Sequence, residues 1–432
     1  MNHESAHHEP RPAEPAPLVR NRDYMLIVSA GVVSTLGAHM SRLALPLLAL
    51  SLTATPVWAA LLGAAQQLPY LLFSLPAGAW VDRVRRKPLL VACSLARFLL
   101  LGSIPLAYAL GALSVPQLLV VVFATGVCTV LSEIADLAAL PHVVHPSQLA
   151  RARSVSEGIE AAAGILGPSV GGLIIGLGRT TVSGAALTFL VDSLSYLVAG
   201  CGLLGVRRPL QSPRRSAHPP IREAIRAGLR FLWRHPTLRP LMLLTTAVNF
   251  LQAPLALCAL LVARDRAGLA PGQIGLVFGG AGCAALIGSA LAGWLYRPSR
   301  VGPIVMAALG LWALSAAILA LAGDAVVLTL GLALTYLVWP VYAVAVVSYR
   351  LEETPDALQG RVISAFRTLS YGAEPLGLAL GGFCVALIGP ALMFGAIAGG
   401  LLLCTAAAAG VRFGQKQAAG LGEAAGFRPE TD

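Results

Sequence analysis

The chain has 432 residues, 56% of them hydrophobic and only 12% charged, with a mean hydropathy of +0.75. A soluble domain carries roughly 25% charged residues, and a soluble chain of this length would have to hide all that apolar surface in its core, so lipid is the simpler place for it. The net charge of +11 does not by itself point to nucleic acid, because its placement along the chain argues otherwise. With 6% aromatic residues, the bulk is Ala, Leu, Val and Gly, which suits helices packed closely in a bilayer. All seven cysteines lie in apolar stretches and no CxxC pair exists, so they read as small packing residues; no disulfide and no metal site is expected.

Residues 1–23 are polar and Pro-rich and predict a disordered cytoplasmic tail, its His3, His7 and His8 included. The apolar run from Tyr24 to Leu52 is too long for a cleaved signal and reads as the first span. A span needs about 20 mostly apolar residues. Twelve stretches qualify: 24–52, 57–80, 88–111, 115–140, 153–178, 183–206, 239–263, 272–296, 301–322, 325–349, 361–388 and 390–411. The expected organisation is a six-helix bundle over 24–206, an Arg-rich linker over 207–238, a second six-helix bundle over 239–412 and a tail over 413–432.

With the N-terminus placed inside, 26 of the 31 Lys and Arg fall in the tails and inner loops. Only Arg179, Arg264 and Arg266 fall outside, and Arg42 and Arg97 lie within spans. Inner loops rich in Lys and Arg fix orientation, so both termini are expected in the cytoplasm of a plasma-membrane protein. The basic charge then faces anionic lipid headgroups, and nucleic acid is not needed to explain it.

The halves repeat. HPSQLARARS leads into GILGPSVGG in the first, and TPDALQGRVIS leads into PLGLALGG in the second. AGAW at 77–80 echoes AGW at 292–294. Two six-helix halves in parallel repeat are an architecture of secondary transporters, with the substrate site between the halves.

The loop after span two reads Gly78-Ala-Trp-Val-Asp82-Arg83-Val-Arg85-Arg86-Lys87. Gly78 permits close helix approach, Asp82 suits a neighbouring helix N-terminus, and the basic cluster suits the inner leaflet. Span five carries Gly164, Gly167, Pro168, Gly171 and Gly172, a side-chain-free face with a bend. The first of these motifs resembles the signature loop of the major facilitator superfamily, with Trp80 in place of a Leu and Arg85 in place of a Gly. The second resembles the element typical of its drug:proton antiporters. LPAGAWVDR, ALPHVVHPSQLARA, GLRFLWRHPTLRPL and GRVISAFRTLSYGAEPLG are similar to the exporter branch that includes macrolide efflux proteins and the enterobactin exporter. The resemblance covers nearly the whole chain. It implies an all-α membrane fold of two pseudo-symmetric bundles, a conformational latch at Gly78, Asp82, Arg83, Arg86 and Lys87, and export of a small amphipathic molecule. An acidic residue frequent in that branch on helix 1 is replaced by Ala38.

Ionisable residues within spans cost about 2.5–3.5 kcal/mol on insertion scales, so each is a functional candidate. Glu133 and Asp136 share one face of helix 4, and crowded, desolvated carboxylates favour their protonated forms. With Glu374 on helix 11 they are the expected proton carriers. Arg97 and Asp192 are expected to pair as structural glue. Arg42, Gln66, Asn249, Gln252, Tyr336 and Trp339 are expected to line a substrate cavity with aromatic walls and a few polar groups. Glu157 and Glu160 read as acidic residues in the first turns of helix 5.

No G-x-x-x-x-G-K-[ST] loop or HExxH is present, so a proton gradient rather than a nucleotide or other cofactor is the expected energy source. The expected partners are a small-molecule substrate and membrane lipids, with the chain acting as a monomer. A membrane-embedded enzyme on lipid-linked substrates would need clustered polar residues at one membrane face, and only the Glu133, Asp136, His142 and His145 neighbourhood approaches this. A transporter-derived sensor would carry an added soluble domain.

Overall fold

The computed structural model describes residues 17–81, 83–211, 221–297, 301–355 and 358–410, all of them helix or short connections. The first half contains α1 (Arg22–Thr53), α2 (Pro56–Val81), α3 (Arg86–Ala109), α4 (Val115–Val143), α5 (Leu149–Leu177) and α6 (Thr181–Leu204). The second contains α8 (Leu238–Gln252), α9 (Leu255–Leu261), α10 (Pro271–Leu295), α11 (Val301–Leu321), α12 (Ala325–Glu352), α13 (Gln359–Gly372) and α14 (Glu374–Ala409), with α7 (Ile221–Arg234) between the halves.

Among the described residues, ten helical runs are long and apolar enough to cross a membrane. The last of them, Gln359–Ala409, holds two crossings, because Gly389 turns the chain at φ 79° and Pro390 starts afresh. Adding α2 completes the twelve. Local chemistry sets the ends: the Asn21 side chain accepts from the Tyr24 N–H at 3.2 Å, and Asp324 accepts from Val326 and Val327 at 2.8 and 3.0 Å.

Three expectations are refined. Span seven is not one helix: α8 stops at Gln252 because Pro254 has no N–H to continue the ladder, and α9 then runs into a π-helical turn at Val262–Arg266. Span eleven breaks at Ala373, between Gly372 and Pro375. The linker contains α7, whose Ile221, Ile225, Leu229 and Leu232 recur at helical spacing while Arg222, Arg226, Arg230 and Arg234 recur on another face. It packs on α13, with Gly228 against the Arg361 backbone.

Within the first half, α1 packs on α5 and α6, α3 on α4 and α6, and α2 on α4. In the second, α10 packs on α12, and α11 on α12 and α14. The halves meet through α5 against α10 and α2 against α13 and α14. The connections after α2, α4, α6, α10 and α12 share one face of the molecule, here called the linker face, and those after α1, α3, α5, α9 and α11 share the other.

Candidate functional site: a cleft between the halves

Between the halves, the closest glycine contacts lie on the side away from the linker face, and α2 also packs on α13 nearer mid-span. Gly172 faces the Pro271 carbonyl and Gly275, whose Cα would lie 2.9 Å from a Cβ at position 172. Gly275 in turn faces the Pro168 carbonyl, and Gly279 faces Ser169 and Ile165. On the other flank, Gly382 meets Ala60, Gly63 meets Leu378, and Gly372 meets Leu71. These glycines let backbones touch where side chains would hold them apart. Toward the linker face, α5 is exposed over most of residues 153–162, so the halves diverge there into a cleft.

The helix 5 motif serves two partners. Gly167 and Gly171 pack on His39 and Met40 of α1, while Gly172 packs on α10. One helix therefore carries both the seam inside the first half and the seam between the halves.

Glu133 and Asp136 are both exposed on α4. Tyr70 of α2 donates to Glu133 Oε1 at 2.6 Å. Glu374 opens α14, where the chain breaks, and accepts from Gln67 Nε2 of the other half at 3.2 Å. Arg42 is exposed on α1, within electrostatic reach of Glu374 and Glu160.

The Arg97–Asp192 ion pair expected from sequence is not formed. Asp192, 1% exposed, accepts from Ser41 Oγ at 2.5 Å and Ser195 Oγ at 3.3 Å. Arg97 lies over the Tyr196 ring at 4.9 Å, and its Nε and Nη2 are buried with no hydrogen-bond partner among the described residues. The serines, one helix turn or one helix away, satisfy the carboxylate and leave the guanidinium to a ring face.

Nor does Asn249 line the cavity: it is buried and donates to the Ser370 carbonyl at 2.9 Å, tying α8 to α13. Gln66 and Gln252 are half-buried, and Gln252 Nε2 has no partner among the described residues. Tyr336 is half-buried against the core. Trp339 is exposed on one side and rests on Trp312 at 5.8 Å, while Tyr342 is buried against Trp312 at 5.0 Å. The aromatic wall is therefore mostly second-half core, with Trp339 at its margin.

Of the latch residues, Asp82 lies outside the described residues. Gly78 lies within α2, and Arg83 is exposed. Arg86 donates to the Ala138 and Leu210 carbonyls at 2.8 and 3.2 Å, and Lys87 to those of Leu204 and Val206 at 2.9 and 2.6 Å. In this conformation both stitch the loop to the ends of α4 and α6 of their own half.

The structure also shows a pair that the sequence reading passed over. His39 Nε2 and Glu160 Oε1 lie 2.9 Å apart across α1 and α5. Glu160 sits three turns into α5 and not in its first turns, because the helix begins at Leu149. His39, an ionisable residue in mid-span, meets the same cost argument that singled out the carboxylates.

Two six-helix bundles meeting along glycine seams around a polar cleft define a major facilitator transporter. Residues 13–423 match the transmembrane secretion effector family, and the chain belongs to it. Among curated relatives, the multidrug efflux pump Tap of Mycolicibacterium fortuitum is 27% identical over 377 residues, 83% of this chain and 88% of the relative. Tap of Mycobacterium tuberculosis (strain ATCC 25618 / H37Rv) is 28% identical over 369 residues, 83% and 85% of the two chains. Among solved structures, the nucleoside transporter NupG matches with a TM-score of 0.72 at 10% identity over 90% of this chain and 98% of that one. A bacterial homologue of ferroportin in an inward-facing state matches at 0.69 and 16% identity, over 90% and 98%. These last two show the fold alone. The protein is a multi-pass membrane transporter and not an enzyme.

Proposed function

We propose that the protein is a proton-driven exporter of small amphipathic molecules, working as a monomer in the plasma membrane with the linker face and both termini in the cytoplasm. The observation that carries the reading is the asymmetry of the seam. Glycine contacts seal the halves on one side, and a cleft bearing Glu133, Asp136 and Arg42 opens toward the linker face. That is an inward-open transporter awaiting cytoplasmic cargo. The bias of Lys and Arg toward the linker face supports the orientation. The relatives named as multidrug efflux pumps support export of drug-like cargo.

In this reading the inward proton gradient is the energy source, and no cofactor takes part. Glu133 carries the proton, with Asp136 one turn away and Glu374 as the carboxylate on the facing half. Tyr70 holds Glu133 in place. Asp82, Arg86 and Lys87 re-engage as a latch between the halves when the cleft closes.

The test is flux in proteoliposomes under an imposed pH gradient, with ethidium, tetracycline and erythromycin as probes. Wild type concentrates at least one probe against its gradient, and Glu133→Gln lowers that uphill flux by roughly tenfold or more, about 1.4 kcal/mol of coupling. Downhill exchange persists. Full gradient-driven export by Glu133→Gln removes the assignment and leaves Glu374 as the coupling carboxylate.

A further inference from the structure

His39 and Glu160 have no role in the reading above, yet they lie within hydrogen-bond distance of each other inside the span. Their surroundings are built around them. The imidazole lies over Gly164, with Cε1 3.7 Å and Nδ1 4.0 Å from where a Cβ would stand. The His39 backbone and Cβ press on Gly167, so that position takes no side chain without moving α1 against α5. The two partners differ in access: the His39 side chain is 12% exposed and that of Glu160 is 55% exposed. Glu160 projects from the stretch of α5 that the halves leave open toward the linker face, with the imidazole behind it. A molecule entering the cleft therefore meets the carboxylate first, and the group it would displace is the imidazole.

We propose that Glu160 is a cation-binding carboxylate of the cleft, and that it exchanges a protonated His39 for a positively charged group on the cargo. With the cleft empty and His39 protonated, the imidazolium satisfies Glu160. When a cationic cargo takes the carboxylate, the imidazolium loses its counter-charge and releases its Nε2 proton to water in the open cleft. When the cargo leaves on the far side, His39 takes up a proton there and closes on Glu160 again. One proton thus moves inward for each positive charge carried outward. The pair selects amphipathic cations, and this proposal rests on the proton-driven reading.

The other charged groups around α1 are engaged or placed differently. On α6, Asp192 is bonded to Ser41 and Ser195, and Tyr196 lies under Arg97 of α3. On α2, Tyr70 donates to Glu133 of α4, and Asp136 lies a turn further toward the linker face. On α5, Glu157 is exposed one turn from Glu160. Arg42, one turn along α1 from His39, is a competing cation that interacts electrostatically with Glu160 and with Glu374. On α4 and α5, Glu133, Asp136, Glu157 and Glu160 are exposed together with a single guanidinium, Arg153, over residues 133–136 and 153–162, and this local excess of carboxylates favours cationic cargo.

The test is equilibrium binding of ethidium, a permanent cation, to the full chain in detergent, read by fluorescence from pH 8 to pH 5.5. Proton release on ethidium addition is followed in parallel with a pH dye. Wild type loses affinity by about tenfold across this range and releases protons as ethidium binds. His39→Gln keeps a donor toward Glu160 but cannot titrate, so its ethidium affinity becomes flat with pH. Glu160→Gln weakens ethidium roughly tenfold at pH 8, and Glu160→Asp recovers part of that loss. Elution profile and melting temperature report folding, and a variant that does not fold is replaced by His39→Asn or Glu160→Asp. Ethidium affinity that keeps its pH dependence in the folded His39 variant, or is unchanged in Glu160→Gln, overturns the exchange pair while leaving Glu133-coupled export standing. If no probe is driven by a pH gradient in wild-type proteoliposomes, the proton-driven reading fails first and the pair fails with it.

Discussion

The two halves share a plan and differ in chemistry. Inside the first, each of the main polar contacts near mid-span has an ionisable partner: His39 with Glu160, Tyr70 with Glu133, the serines with Asp192, and Arg97 over Tyr196. Inside the second, the equivalent depth is held by neutral donors and rings. Trp312, 1% exposed, donates to the Thr335 carbonyl at 3.1 Å and rests on Tyr342. Ser315 and Thr335 lie 2.6 Å apart, and Thr245 and Tyr342 2.8 Å. Near mid-span, the carboxylate of the second half is Glu374, which faces the first half through Gln67. The difference teaches a division of labour. Charge inside a membrane is costly, and its concentration in the first half fits the proposed coupling role, while the hydrogen-bonded hydroxyls and close-packed rings of the second half suit a rigid body to move against.

The division is most severely tested by Trp312→Ala. The indole fills the space between α11 and α12 and anchors a carbonyl, so its removal leaves a large cavity. We expect a loss of about 3–5 kcal/mol of stability, read as a large drop in melting temperature in detergent. A tolerated Trp312→Ala would mean that the second half is not the rigid partner.

The mirror experiment in the first half is Arg97→Met. The side chain is buried, and two of its nitrogens lack partners among the described residues. A buried charge replaced by an apolar chain of similar length is often neutral or stabilising, and Asp192 keeps its serines. Stability is expected to stay within about 1 kcal/mol of wild type, while gradient-driven flux falls because the positive field beside Asp136 and Asp192 is gone. A stability loss as large as that of Trp312→Ala would make Arg97 structural and blur the contrast between the halves.

Much of this was legible in the sequence. Hydropathy and loop lengths marked the crossings, since lipid imposes a minimum length on every helix. The glycine motif marked the packing face of α5, though not that it touches α10 as well as α1. What stayed hidden depends on which residues meet. Arg97 and Asp192 both sit near mid-span, and pairing them was reasonable; Ser41 and Ser195, ordinary in the sequence, decide otherwise. Hydropathy starts helix 5 four residues late, which moves Glu160 into its first turns and hides it as an ordinary dipole-facing carboxylate. Spacing alone sends Asn249 to the cavity, because it does not tell that α13 ends near Ala373 and presents the Ser370 carbonyl to the amide. The breaks at Pro254 and Ala373 follow from proline chemistry, but hydropathy averages across them.

The smallest expected effect concerns a titratable group where the linker enters the second half, outside the spans. His235 stands between α7 and α8, where its Nδ1 accepts from the Leu238 N–H at 3.1 Å and the Thr237 N–H at 3.4 Å, doing the work of a helix cap. Capping needs that nitrogen unprotonated. Burial pushes the imidazole below its ordinary value, so the folded chain holds this proton less tightly than the unfolded chain does. Its contribution to stability is therefore complete above the ordinary histidine range and declines as pH falls through it. Glu353, 3.5 Å from Nε2, pulls the other way, since it favours the protonated ring. Desolvation and the cap on Nδ1 outweigh it, and the sign stays with the neutral form. His235→Asn keeps a capping acceptor and removes the titration. Between pH 7.5 and pH 5.5 wild type is expected to lose up to about 1 kcal/mol, one cap, that the Asn variant does not lose, read as a narrowing gap in melting temperature. Transport at pH 7.5 stays near wild type, because the group supports a helix end and does not face the cleft. A pH-dependent loss shared equally by both proteins would assign the acid sensitivity to the carboxylates of the first half.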